Sequence, residues 1–571
     1  MNKTLKKVVI GVAAVVAVVA IIAVIIIYRR YSPGKTKGDL NEFFGVSEGE
    51  VAIVMQDEVY AKKGKIQDGN IYLPVSFVKE FLNDKFYWDV NELELLYTTP
   101  TEVIEAVEGK SKYSVNGKSE SYDKPVCMLF EDSESGETEG YVSIDFADTY
   151  SAFNYTAYQE PDRVVINYKF GIEESFAKTT KKTQVRHLAG VKSEILSEVK
   201  KGESVKILST DDNDQGFDKV MTESGVIGYI KENHLGDSKK KEITTDYVEP
   251  EYSHILMDEK VSLGFHQIAS TEGNSEINTV LASNAEINVL CPTWFQSSDN
   301  NGAITSYGDY DYVAKAHEAD IQVWGLCNDF SEDNQIGKVL SSTTSRQKLE
   351  KNLVAEAIKY DLDGLNIDFE YVRAENGSDF TQFIRELSIL CRKYELVLSI
   401  DNYPNIGGTE YYNRAEQAKV ADYVITMAYD EYYSGGDSTG PNSSLGYVKT
   451  AISTTLEEVP AEQAIIALPF YYRAWQTKGK KIIGNTAYGM NNTDSILATT
   501  TVKPVWDENL MLNYLSYKGD NNVKYEIWIE DETSLEYKMK EVKNANIAGM
   551  AYWKIGFETD GVWNLVKKYN K

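Results

Sequence analysis

Three polar side chains stand at alternate positions in DGLNIDFE, residues 363–370. They are Asn366, Asp368 and Glu370, and apolar residues separate them. Because successive side chains of a strand point to opposite faces, the three polar groups share one face. Burying them is costly unless they are used. The spacing therefore predicts a strand with a catalytic polar face, on which Asp368 lies roughly 7 Å deeper than Glu370.

The apolar side chains of this strand are expected on the opposite face, packed on helices. They are Leu365, Ile367 and Phe369. A purely structural alternative is that the two acids cap the following helix or pair with lysine.

The second half of the chain repeats one pattern, an apolar strand followed by a helix-length segment. The strand candidates are residues 261–268, 287–295, 321–327, 364–370, 396–402, 423–429, 464–470 and 547–553. Eight such units predict an α/β TIM (β/α)8 barrel over 253–571, with an insertion within 471–546. In this fold the site forms at the carboxyl ends of the strands, where Glu370 is expected.

Length, charge and cysteines limit the possible functions. A chain of 571 residues is expected to hold more than one domain. Its 87 Asp and Glu against 59 Lys and Arg give a formal charge of -28, which repels phosphate backbones and excludes nucleic acid as a partner. The four cysteines are widely spaced and form no CxxC pair. Neither a disulfide framework nor a zinc site is indicated, no metal or cofactor is predicted, and no protein partner is identifiable.

The amino terminus predicts a membrane anchor. Residues 8–27 carry no charge and match the ~20 residues that cross a bilayer as a helix. No small-residue cleavage site follows, so we predict an uncleaved transmembrane signal anchor over 8–28. Residues 1–7 are then a cytoplasmic N-terminus and 29–42 a linker. The rest of the chain is expected to lie outside the cell, facing the wall.

Two further domains are predicted upstream of the barrel. Residues 43–170 repeat one order, a strand, a short helix beginning near Phe77 or Phe146, and a strand pair. This duplication resembles the small domain named after the amino-terminal region of copper amine oxidases, which implies a stalk without copper. Residues 183–236 predict about five short strands and resemble a bacterial SH3 domain, a wall binder or a spacer. Residues 237–252 are predicted to be a linker.

Motifs on six barrel strands carry a more specific resemblance. DGLNIDFE resembles the DGxDxDxE signature of family 18 glycoside hydrolases, and five more motifs stand in order where that family has its own elements. They are CPTWF, VWGLCNDF, MAYD, LPFYYRAW and MAYWKIG. The resemblance covers 253–571 and is closest to the spore-cortex-lytic branch, peptidoglycan β-N-acetylglucosaminidases. It implies a retaining mechanism in which the substrate's own 2-acetamido group attacks the anomeric carbon.

The resemblance also implies roles for individual residues. Glu370 would be the general acid and then the base for water, Asp368 would orient the acetamide N–H, and Tyr429 would donate to the acetamide carbonyl. The substrate-binding residues would be Asn366, Asp430, Met427, Trp553, Trp294 and Tyr471. Asp363 and Gly364 complete the motif as structural residues.

Several of these side chains have a second interpretation. Core packing is an alternative for Tyr429 and Trp553. For Trp294, Trp324, Tyr471 and Trp475, contact with glycan and packing both stay open. His266 and His317 lack metal-like spacing and are interpreted as structural.

Asn366 departs from the family pattern, which usually has Asp there. Two adjacent acids can share a proton and raise the pKa of one of them. Since an amide cannot take that proton, Asp368 is expected to ionise more readily here than in an enzyme with Asp at this position, without loss of the general acid. The cortex-lytic branch that the sequence resembles tolerates Asn at this place, so the amide points to that branch rather than to inactivity.

The sequence thus predicts a membrane-anchored glycoside hydrolase that cleaves β-linked N-acetylhexosamine glycans, above all peptidoglycan. Chitinase is the enzymatic alternative. A non-catalytic chitinase-like lectin and a wall-binding scaffold are the alternatives from other classes, and the presence of Glu370 argues against the lectin.

Overall fold

The computed structural model describes residues 3–132, 136–210, 216–283, 285–331 and 335–570. The predicted turn DDNDQG lies mostly outside these residues, because 211–215 are not described. Among the described residues, one helix is long and apolar enough to cross a membrane. It is Lys3–Tyr31, and none of its residues is buried against the rest of the protein.

The eight predicted barrel strands form a closed parallel barrel. In order they are Val261–His266, Val289–Pro292, Gln322–Asn328, Gly364–Asp368, Val397–Asn402, Tyr423–Met427, Ala464–Pro469 and Gly549–Trp553. Every neighbouring pair is parallel. Pairing of Val261 with Gly549 joins the first strand to the eighth and closes the barrel, as the repeat pattern predicted.

Helices surround the barrel and cover the outward side chains of its strands. They are Ile277–Ala282, Tyr310–Glu318, Ile336–Leu340, Thr343–Tyr360, Gly377–Lys393, Arg414–Val420, Leu445–Glu458, Glu532–Ala545 and Val562–Tyr569. Leu365, Ile367 and Phe369 are buried in this outer layer, and Phe369 stacks on Phe383 with 5.5 Å between ring centroids. The apolar face of the fourth strand therefore packs on helices, as its alternation predicted.

The segment between the seventh and eighth strands contains an antiparallel sheet, the insertion sheet. Its strands, in spatial order, are Lys481–Gly489, Tyr471–Lys478, Lys524–Ile529, Leu512–Lys518 and Val505–Asp507. Since its strand Tyr471–Lys478 follows the seventh barrel strand directly, the insertion sheet begins at the carboxyl end of the barrel.

Two sheets over residues 50–167 form the amino-terminal unit. The seven-stranded sheet has the order Asn154–Tyr158, Arg163–Asn167, Glu50–Val54, Val59–Gln67, Asn70–Pro74, Thr138–Ser143 and Cys127–Glu131. The other sheet consists of Tyr87–Asp89, Glu94–Thr98, Val103–Val107, Lys112–Val115 and Lys118–Ser121. Helical turns follow strands at Val75 and Ile144, so the predicted order of strand, helix and strand pair occurs twice.

Residues 172–243 form the middle sheet, which is antiparallel. Its spatial order is Ile195–Val199, Thr183–Arg186, Ile227–Lys231, Phe217–Thr222, Ser204–Ser209, Ile172–Lys178 and Lys239–Ile243. Five of these strands lie within 183–236, the number that the sequence predicted.

Both predicted linkers are partly ordered by backbone pairing. In the first, the N–H groups of Gly34 and Gly38 donate to the carbonyls of Val191 and Ile195, at 2.7 and 3.0 Å. In the second, Lys239–Ile243 is an edge strand paired with Ile172–Lys178. An exposed sheet edge leaves backbone donors and acceptors free to pair with another segment of the chain. The polar composition of the two linkers does not reveal this pairing.

The amino-terminal unit contacts the helix layer of the barrel through a helix cap. Buried Asp89 accepts hydrogen bonds from the backbone N–H and the hydroxyl of Thr343, both at 2.7 Å. Thr343 is the first residue of helix Thr343–Tyr360, whose unpaired N–H groups favour a carboxylate there. Helix and amino-terminal unit therefore stabilise each other.

Candidate active site

The fourth strand begins at a structural turn and ends at the candidate acids. Asp363 accepts from the backbone N–H of Val323 at 2.7 Å, and its carboxylate lies 2.9 Å from Nε2 of His317. At Gly364 a Cβ would come within 2.7 Å of the carbonyl oxygen of Val397. These contacts position the start of the strand between its neighbours.

The inward polar residues of the fourth strand face matching residues of the fifth. The register pairs Asn366 with Ser399 and Ile367 with Ile400. Asp368 therefore lies beside Asp401, and Glu370 lies beside Tyr403. We call these three side-by-side pairs the polar ladder.

Hydrogen bonds connect two levels of the polar ladder. Nδ2 of Asn366 donates to Ser399 Oγ and to Asp401 Oδ1, both at 3.0 Å. The hydroxyl of Tyr403 donates to Glu370 Oε2. Asp368 is only 5% exposed, and its Oδ1 has no hydrogen-bond partner among the described residues. An unpaired oxygen on a buried acid is available to a ligand.

Asp329, at the end of the third strand, holds the backbone that carries Glu370. Its two oxygens accept from the N–H groups of Glu370 and Tyr371, at 3.0 and 2.8 Å. Asp329 is 1% exposed, and burial raises its pKa to about 6 against the effect of these N–H groups. The carboxyl group of Glu370 is thus anchored from its backbone and from its side chain.

Burial raises the pKa of every acid in this group. The pKa of Asp368 rises well above its usual range, because it is buried and because Asp401, Glu370 and Asp329 carry like charge. Burial raises the pKa of Glu370, while the hydrogen bond from Tyr403 opposes the shift. For Asp401, burial raises the pKa to about 8 against the hydrogen bond from Asn366. Such acids can hold a proton near neutral pH.

The sixth strand and the insertion sheet supply a second group of polar residues. Tyr429 is buried, and its ring lies 6.1 Å from that of Tyr471. Asp430 has φ of 54° and accepts from the hydroxyl of Tyr471 at 2.7 Å and from Arg473 at 2.9 Å. Burial and the charge of Asp401 raise the pKa of Tyr429 well above its usual range, so its hydroxyl remains a donor.

The structure brings most, though not all, of the predicted residues to one place. Met427, Tyr429 and Tyr471 belong to the cluster inside the barrel, and half-buried Trp553 packs against it. Trp294 has no exposed surface and lies in the outer layer, where its Nε1 donates to Asn274 Oδ1 at 2.8 Å. Because its indole points away from the barrel interior, it has no free face for a sugar here.

Trp324 and Trp475, for which packing and glycan contact were both open, are also without exposed surface. Trp324 stacks on Tyr423 inside the barrel, with ring centroids 5.4 Å apart. Trp475 donates from Nε1 to the carbonyl of Gly440 at 2.8 Å. Both are packing residues in this structure.

The structure places another acid next to Asp368. The pKa of Asp368 is raised, with Asp401 the foremost charged contributor after burial. That Asp368 ionises more readily beside Asn366 than it would beside an Asp at this position stays a prediction. Asp368 has an acidic neighbour in spite of the amide at 366, because the fifth strand provides Asp401.

Sequence reasoning missed Asp329, Asp401 and Tyr403. The fifth strand nevertheless carries the same signal as the fourth, because Ser399, Asp401 and Tyr403 are polar residues at alternate positions. Reading both strands for period-two polarity would have found the two fifth-strand residues. Asp329 follows the third strand at its carboxyl end, a position where site residues are expected in this fold.

The profile described as Glycosyl hydrolases family 18 matches residues 226–558. The chain therefore belongs to glycosyl hydrolase family 18, and it is a glycosyl hydrolase.

Individual relatives are distant. The Bacillus subtilis protein named uncharacterized glycosylase YvbX is 23% identical over 314 residues, which are 53% of this chain and 90% of that protein. The cortical fragment-lytic enzyme of Bacillus subtilis is 26% identical over 251 residues, 41% of this chain and 58% of that enzyme. The solved C-terminal domain of a candidate chitinase from Desulfitobacterium hafniense has a TM-score of 0.50 at 19% identity, covering 55% of this chain and 100% of that domain. The structural similarity shows the fold alone.

Proposed function

We propose that this glycosyl hydrolase cleaves the β-linked N-acetylglucosamine glycan of peptidoglycan with retention of configuration. The observation that carries the proposal is the pair Asp368 and Glu370 on the inward face of the fourth strand. Burial raises the pKa of Glu370, which suits a general acid that must be protonated near neutral pH. A distant relative named cortical fragment-lytic enzyme supports the substrate class.

In the proposed mechanism the nucleophile belongs to the substrate. The acetamide carbonyl oxygen attacks the anomeric carbon while Glu370 protonates the leaving oxygen. Asp368 accepts the acetamide N–H, and this contact fixes the angle of attack and stabilises the positive charge of the cyclic intermediate. The Glu370 carboxylate then takes a proton from water, which opens the intermediate and restores the acid.

The remaining residues are proposed to bind the reacting sugar. The hydroxyl of Tyr429 donates to the acetamide carbonyl oxygen, and Trp553 supplies an apolar face under the pyranose ring. Asp430 is held by Tyr471 and Arg473, and we propose that it contacts a sugar hydroxyl.

We propose a cell-wall location on the basis of the amino-terminal part of the chain. Helix Lys3–Tyr31 is long enough to act as a single-span signal anchor. Residues 34–38 pair with the middle sheet, which would keep that sheet close to the membrane surface. In this proposal the middle sheet is an SH3-like unit and the amino-terminal unit is a stalk, both outside the cell.

The test compares two substrates and one inactive variant. The full chain in detergent is incubated with purified peptidoglycan and with chitin oligomers, the products are identified by mass, and the anomer formed first is identified by NMR. We expect muropeptide fragments ending in N-acetylglucosamine and the β-anomer, with no product from Glu370→Gln. Cleavage of chitin alone would make the protein a chitinase, and binding without product from either substrate would support the lectin alternative.

A further inference from the structure

Asp401 is a buried acid beside the proposed catalytic acids, and the mechanism above does not use it. Since the register pairs Ile367 with Ile400, Asp401 is the inward neighbour of Asp368 on the next strand. Neighbouring strands are about 4.8 Å apart. Asp401 is 3% exposed and Asp368 is 5% exposed, so water screens neither carboxyl group.

The surroundings of this pair contain neutral donors and further acids. The titratable groups around it are Glu370 and Tyr403 just after its own two strands, Cys291 on the second strand, Cys327 on the third, Asp329 after the third, Tyr412 after the fifth and Tyr429 after the sixth. Among the residues that the structure describes, no ion pair includes Asp368, Asp401, Glu370 or Asp329. Two neighbouring buried carboxyl groups without a cation cannot both be charged at low cost.

We infer that Asp401 is a positioning residue that shares one proton with Asp368 and retains it when Asp368 receives the substrate acetamide. This rests on the proposed function and adds a residue to it. In the empty site the pair holds one proton. When the acetamide N–H arrives, the proton moves to Asp401, and Asp368 is the carboxylate that the N–H needs.

Asn366 explains why the proton can stay on Asp401. Its Nδ2 donates to Oδ1 of Asp401 at 3.0 Å, which leaves Oδ2 of Asp401 to carry the proton. An acid at position 366 would add a third like charge at this place. Asn366 and Asp401 therefore act together: the acidic neighbour of Asp368 lies on the fifth strand, and the amide on the fourth strand binds it.

Three variants of the full chain test this arrangement: Asp401→Asn, Asn366→Asp and the exchange variant that combines both. The assay is the pH dependence of kcat on an N-acetylglucosaminide with a chromogenic leaving group. We expect Asp401→Asn to lower kcat on the order of 10- to 100-fold and to alter the pH profile. The exchange variant, with an acid again beside Asp368, is expected to recover at least about tenfold of that loss.

A matched control separates positioning from folding. Asp422→Asn removes another buried acid, which is bonded to Arg392 at 2.7 Å and to the backbone N–H of Leu398. We expect it to lower the unfolding temperature without changing the shape of the pH profile. The inference is overturned if Asp401→Asn keeps the wild-type profile, or if the folded exchange variant is no more active than Asp401→Asn.

A second readout does not depend on activity. The infrared difference spectrum between the wild type and Asp401→Asn near neutral pH is expected to show the loss of one protonated carboxyl band. Absence of that band would overturn proton sharing. If the wild type cleaves no N-acetylglucosamine glycan but the band is present, the proposed function fails while the shared proton stands.

Discussion

Two buried carboxyl groups of the helix layer and two of the polar ladder have opposite partners. In the helix layer, Glu386 lies 2.9 Å from Arg346, and Glu416 lies 2.8 Å from Arg385. In the polar ladder, the hydrogen bonds that Asp401 and Glu370 accept from described residues come from neutral groups, the amide of Asn366 and the hydroxyl of Tyr403. Both layers exclude water, but within the described part of the chain only the two helix-layer acids have a cation beside them.

Buried acids therefore have a structural role in the helix layer and a chemical role in the polar ladder. Burial raises the pKa of Glu386, but the charge of Arg346 opposes this shift, and the ion pair fastens two elements together as long as both partners are present. A buried acid beside neutral donors is easily protonated, so it can release and accept protons. The comparison predicts that substitutions in the polar ladder change rates and pH profiles, whereas substitutions in the helix layer change stability.

The largest effect is expected from Asp368→Asn. The amide resembles the protonated acid in shape but carries no negative charge to stabilise the positive intermediate, so kcat should fall on the order of 10²–10³-fold. The free energy of unfolding, measured by denaturant titration, should not decrease. Asp361→Asn, at an exposed left-handed position, is the control and should keep full activity. A large loss of stability in Asp368→Asn would contradict the distinction between the two layers.

The helix layer is tested by Arg346→Met. Arg346 has no exposed surface, bonds Glu386 and the carbonyl of Leu340, and lies 5.0 Å from the ring of Tyr87 in the amino-terminal unit. Removing it leaves a buried carboxylate without its cation, which should cost about 3–5 kcal/mol of unfolding free energy.

The activity of the Arg346→Met molecules that remain folded should be unchanged. Exposed Arg373 is the control, and Arg373→Met is expected to stay within about 0.5 kcal/mol of the wild type. Loss of activity without loss of stability in Arg346→Met would contradict the comparison.

A smaller effect is expected from Tyr403→Phe. The Tyr403 hydroxyl bonds Glu370 and lowers its pKa, so the pKa of Glu370 should rise when the hydroxyl is removed. Because a general acid loses activity as pH rises through its pKa, the basic limb of kcat/KM should move to higher pH. A charge-assisted hydrogen bond supports a shift of about one pH unit. Tyr394→Phe, on an exposed ring, should leave the limb in place.

A further prediction concerns the pH dependence of stability. The folded pKa of Asp401 is about 8 against an ordinary value of 3.8, so between those values the folded state holds more protons than the unfolded chain. Stability contributed by this proton is present below about pH 4 and is lost as pH rises toward about 8. Asp401→Asn should flatten this decline in urea titrations from pH 4 to 8, and Asp311→Asn on the surface should not.

Much of the barrel follows from local sequence patterns. Strand alternation and the eight repeats of strand and helix predicted the closed barrel and the outward packing of Leu365, Ile367 and Phe369. These predictions succeed because side-chain direction in a strand repeats every two residues, whatever the neighbouring strands are. The same alternation placed Asp368 and Glu370 on the inward face.

Tertiary structure decided which residues are neighbours across strands. Asp401 and Tyr403 join the site because of the register between the fourth and fifth strands, which depends on how whole strands fit side by side. The burial of Trp294 in the outer layer and the pairing of Gly34 and Gly38 with the middle sheet likewise depend on elements distant in sequence.

Local sequence patterns were therefore sufficient to predict the family, the strand order and the two acids of the fourth strand. The pKa of those acids depends on burial and on the charges around them, and only the folded barrel brings Asp401 and Asp329 close to Asp368. The raised pKa of these acids is therefore a consequence of the tertiary structure.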